Sequence, residues 1–78
     1  MTHITHDLHH EFPAHADALH RLKMTDPHFK RLSHEYDEIN QSIYKAEAGL
    51  AAMDDLALET LKKKRLSLKD EIATLLKD

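Results

Sequence analysis

There is no cysteine and no tryptophan in this sequence, and only one glycine and two prolines. Without cysteine the chain has neither disulfides nor thiolate metal sites, nor a thiol nucleophile. A lone glycine excludes the glycine-rich loops that cradle phosphates. Aromatic residues are 5% of the chain, too few to interleave with a basic surface in the way single-stranded nucleic acid is bound. No apolar run approaches the roughly 20 residues of a membrane span, and no signal-peptide core is present, so a cytoplasmic location is the default expectation.

What remains is the composition of helices carrying long polar side chains. Charged residues make up 32% of 78, with 11 basic and 14 acidic residues giving a formal charge of -3. That balance advertises neither a nucleic-acid nor a membrane partner. The fold class expected is all-α. A chain this short builds one modest core, and with disulfides excluded, self-association is the simplest supplement to it.

Three helices follow from punctuation and period. Residues 1–11 hold few large aliphatics and many histidines, and read as a frayed or partly helical N-terminal arm before a single helical domain, 12–78. Pro13 suits the first turn of a helix, predicting a short helix over 13–23. Leu8 belongs to its apolar face only if the helix continues through the proline with a kink. Asp26-Pro27 is an acidic cap followed by a proline at the first helical position, and starts a second helix, 27–48. Gly49 can take the left-handed conformation that ends it, and Asp54 or Asp55 can cap a third helix over 55–77.

Along the second helix Phe29, Leu32, Tyr36, Ile39, Ile43, Ala46 and Leu50 alternate spacings of 3 and 4, as do Leu58, Leu61, Arg65, Leu68, Ile72 and Leu75 along the third. These are heptad seams. A short connection makes the helices antiparallel, and the two seams then pair throughout, from Phe29 opposite Leu75 to Ala46 opposite Leu58. The architecture expected is an antiparallel, coiled-coil-like helical hairpin preceded by a short N-terminal helix. Arg65 falls in the seam beside Ile39. Its stem is expected to pack while the guanidinium reaches water or Glu38, with a register key or a contact to another chain as the alternative.

Tyr44, Leu56, Leu66 and Leu76 lie off the seams and are candidate oligomer contacts, a dimer being the favoured state. The competing arrangement packs the first helix over them within a monomer. His6, His9 and His10 have a helical spacing that can present imidazoles together, but no third element completes a metal site, and none is assigned. Lys62 to Arg65 is the only basic run and fans around its helix. No catalytic residue or cofactor is expected, because no serine stands in a nucleophile-elbow context and the carboxylates lie along solvent faces.

Two stretches, Phe12-Pro13 through Asp26-Pro27-His28-Phe29 with Leu32, and Leu61-Lys62-Lys63 through Leu66 and Leu68-Lys69-Asp70-Glu71-Ile72, resemble the YdcH family of short bacterial proteins of unknown function, over roughly residues 12 to 76. The resemblance implies a small cytoplasmic helical hairpin and brings no activity, cofactor or catalytic residue with it. On physical grounds the two motifs converge at the hairpin's open end. There they either fix the first helix or present His28, Lys69, Asp70 and Glu71 as the polar rim of a patch for an unidentified protein partner. The function expected is a non-enzymatic, self-associating interaction module. The alternative is a nucleic-acid-associated accessory protein using Lys62 to Arg65.

Overall fold

The computed structural model describes residues 7–77, and these contain no β-strand. The elements are α1 (Leu8–Glu11), a 3-10 turn (Pro13–His15), α2 (Ala16–Thr25), α3 (Pro27–Glu47) and α4 (Asp55–Leu76).

Three of the four long-helix boundaries have a local chemical cause. The Asp26 carboxylate accepts from the backbone N–H groups of His28 at 3.0 Å and Phe29 at 3.3 Å. Pro27 fills the first position, where no N–H is needed. At the far end of α3, Gly49 has φ +76°. The Leu50 N–H donates to the Lys45 carbonyl at 2.8 Å and the Gly49 N–H to Ala46 at 3.3 Å, the paired bonds of a Schellman motif. Any L-residue at position 49 would be strained, so Gly49→Ala is expected to cost about 1 kcal/mol, read from a urea melt. Asp54 caps α4, its carboxylate accepting from the Ala57 N–H at 2.7 Å.

The hairpin expectation holds: α4 returns along α3. Leu68, Ile72 and Leu76 of α4 join Phe29, Leu32 and Tyr36 of α3 in one buried cluster. Toward the closed end the packing thins. Ile43 is buried, but Ala46, Leu58 and Leu61 are only partly covered, and Leu50 lies beyond the helix end, exposed.

The N-terminal expectations need correction. Of the expected arm 1–11, residues 1–6 lie outside the described residues, and the rest is not simply an arm, because Leu8 is 2% exposed and sits in the core with Leu19. Nor does one helix run over 13–23. Phe12 precedes a proline, which disfavours helical backbone there, and it adopts φ -129°, ψ 61°. The chain therefore makes one turn capped by Asp7, bends at Phe12, and starts α2 only at Ala16. Leu8 reaches the core through this bend, not along a kinked helix.

α2 is 10 residues long, about 15 Å at 1.5 Å per residue, against 21 residues for α3. It covers only the half of the hairpin nearest the open end. Beyond the heptad seam of α3, Ser33 and Asn40 are also buried. Asp37, also on α3, is half-buried, and burial raises its carboxyl pKa, opposed by Lys23. A raised folded-state value contributes stability at acid pH that is lost as pH rises through it. Asp37→Asn is therefore expected to melt higher than the parent at neutral pH, the advantage disappearing as pH falls below the ordinary value of 3.8.

Candidate functional site

Two polar regions flank the hairpin, one at its open end and one running along α4. The first is a shallow cleft of about 230 Å³ lined by His28, Leu32, Glu71, Thr74 and Leu75. Its floor is apolar and its rim carries the imidazole and the carboxylate. At this size it lies below the roughly 300 Å³ where small-molecule pockets begin.

Of the four residues expected to form a patch, the structure brings only His28 and Glu71 together here. Asp70 is exposed, and its backbone carbonyl accepts from the Thr74 hydroxyl at 3.0 Å. Lys69 turns to the other side of α4 and binds the Glu11 carboxylate at 2.7 Å. That ion pair joins positions 58 apart in sequence and straps α1 onto α4. Lys69 thus fixes the N-terminal segment instead of lining the cleft.

The second region is a ladder of polar contacts between α4 and its neighbours. Lys62 meets Glu47 at 2.8 Å, Arg65 donates from Nη1 to Asn40 Oδ1 at 3.0 Å, and Lys69 meets Glu11. The Arg65 guanidinium was expected at water or Glu38. It turns instead to the amide oxygen of Asn40, one residue past Ile39, while Glu38 pairs with His34 at 3.0 Å. The Arg65 to Asn40 bond satisfies a buried amide and fixes the register of the two helices at that layer.

Tyr36 lies beside this ladder, fully buried, in a hollow of about 210 Å³ that it lines with Glu11, Lys62, Arg65, Leu66 and Lys69. Burial is the main cause that pushes its phenol from 10.0 to about 12, helped by the Glu11 charge and opposed by Arg65. Lys62 to Arg65 fan around the helix as a run, but Lys62, Arg65 and Lys69 recur at i, i+3 and i+7 and share one face of α4, a signal already present in the sequence.

The candidate oligomer contacts divide. Leu56 is 75% exposed and Leu66 59%, and Tyr44 is half-buried on the flank of α3. Leu76, a candidate oligomer contact, is 7% exposed and belongs to the core cluster with Leu8 and Leu19, the arrangement in which the N-terminal segment covers it. Among the described residues no group of three or more histidines and carboxylates is placed to hold a metal; His6 falls outside the described residues. Likewise, no described helix is long and apolar enough to cross a membrane.

Fold and surface together define a small helical-hairpin protein with a strapped N-terminal segment and apolar side chains left on its outer faces. The chain belongs to the family described as Protein of unknown function (DUF465), whose model matches residues 29–76. The YdcH-like resemblance of the sequence is consistent with that membership. The matched span is the hairpin itself, α3 through α4, and omits α1 and α2. No curated protein and no solved structure matches the chain significantly.

Proposed function

We propose that the protein is a non-enzymatic, cytoplasmic interaction module that associates with itself, favouring a dimer, and through that assembly engages a protein partner. The observation that carries this reading is the exposure of Leu56 and Leu66 on a helix whose other face is already packed. Large apolar side chains on a chain with so small a core are best accounted for by a covering surface. The cleft beside His28 and Glu71 suits a protruding side chain of a partner, with an apolar floor and a charged rim.

The nucleic-acid alternative has less support. Lys62, Lys63 and Arg65 are engaged with Glu47, Glu59 and Asn40. Carboxylates interleaved at this spacing dilute a phosphate-binding field.

The test is translational diffusion by NMR across a concentration series. The parent chain should slow as concentration rises, whereas Leu56→Glu with Leu66→Glu should diffuse as a monomer throughout with its melting temperature little changed. Met24→Glu, equally exposed but on α2, should behave as the parent. A parent that diffuses as a monomer at every concentration contradicts self-association.

A further inference from the structure

α4 carries a second heptad stripe on its outer side. Leu68, Ile72 and Leu76 turn into the core. Leu56, Glu59, Lys63, Leu66 and Asp70 recur at spacings of 3, 4, 3 and 4, and all are exposed. At about 100° per residue this second stripe is centred roughly opposite the buried one. Between its two leucines, Glu59 and Lys63 pair within the helix at 3.4 Å.

The order leucine, glutamate, lysine, leucine is complementary to itself when reversed. If two copies of α4 lie antiparallel with their outer stripes in contact, Leu56 faces Leu66 of the second copy, and Glu59 faces Lys63 of the second copy. Both pairs then occur twice about a two-fold axis at the level of Leu61. A parallel, in-register pairing sets glutamate on glutamate and lysine on lysine instead, so the charges select the antiparallel arrangement. Thr60 and Ser67 border the stripe with small side chains that let the backbones approach. Lys62 flanks the axis, and its charge is met by Glu47 of its own chain at 2.8 Å, which relieves repulsion between the two copies.

We propose that this outer stripe of α4 is an isologous contact between two copies of the chain, antiparallel, with Leu56 seated against Leu66 of the other copy and Glu59 paired with Lys63. The proposal rests on the self-association reading and gives it a surface, a symmetry and a register. Four leucines and four charges form a contact at the small end of specific interfaces, so the dimer is weak and concentration-dependent.

The absence of native cysteine permits a direct test. Leu56→Cys, Leu66→Cys and the double variant are oxidised at high concentration, and the products are sized and mapped by peptide mass. Within one helix the two positions are about 15 Å apart, beyond the roughly 7 Å that a disulfide tolerates, so any bond between them joins two chains. Covalent dimers joining position 56 to 66 are expected from the double variant and from a mixture of the two single variants, while each single variant alone stays largely unlinked. Leu56→Cys linking to itself as readily as the double variant links overturns the register.

Charge supplies an independent arm. Glu59→Lys and Lys63→Glu should each weaken association about tenfold, and mixing the two variants should restore it, because each then supplies the charge the other needs. If the parent dimerises but neither cross-linking nor charge reversal affects it, this face is wrong and self-association stands. If the parent is a monomer at every concentration, both readings fall.

Discussion

Replacing Phe29 with alanine is expected to leave the chain largely unfolded at room temperature. Phe29 is fully buried where α2, α3 and α4 meet, one turn after the Asp26 cap that starts α3. Truncating a buried phenylalanine costs about 3–5 kcal/mol, and a core in a chain of this length rarely supplies more than that in total. Circular dichroism at low protein concentration, where association adds little by mass action, is the appropriate readout. A variant that still melts cooperatively within a few degrees of the parent would show that the open-end core is not what holds the fold.

The second large effect is alkaline. The Tyr36 phenol is raised from 10.0 to about 12, chiefly by burial, so between those values the folded chain retains a proton that the unfolded chain has lost. Stability from this source is fully present below pH 10 and is lost as pH rises through about 12. At about 1.4 kcal/mol per pH unit the loss amounts to about 2–3 kcal/mol. Tyr36→Phe should abolish that slope. Other groups act alike in both proteins, so the quantity to compare is the difference between their stability curves. Parallel curves between pH 9 and 12 would contradict the assignment.

Much of the hairpin was readable because its signals are local and agree with one another. Asp26-Pro27, Gly49 and Asp54 each act within one turn of chain, and the bonds they make are the ones their chemistry suggests. The short connection implies the antiparallel return of α4, and the two heptad seams are compatible with it. The N-terminal segment was less readable because its placement depends on tertiary packing. Phe12 before Pro13 breaks the helix, and Leu8 gains its burial from distant residues on α3 and α4.

The same reason explains Leu76, which is buried in one cluster with Leu8 and Leu19 of the third layer, a reach that a two-helix seam does not foretell. Arg65 turned to Asn40 rather than Glu38 because the polar atom nearest its layer is a buried amide that needs a donor. The candidate patch separated because Lys69 and Glu71 lie two positions apart on a helix and point to different sides.

These features give the molecule two unlike ends. The open end is a three-layer core strapped by Glu11 and Lys69, while the closed end is a bare two-helix hairpin, and Leu56 there and Leu66 farther along α4 stay exposed. The family match spans the hairpin and omits the strap, so the surface proposed for association lies in the part of the molecule that defines the family.

Sedimentation equilibrium of the unmodified chain, from micromolar to millimolar concentration, tests this account most directly. Mass rising from 9.0 kDa toward twice that value, with the rise suppressed by Leu66→Glu, is the expected result. A mass fixed at 9.0 kDa over the whole range would contradict it.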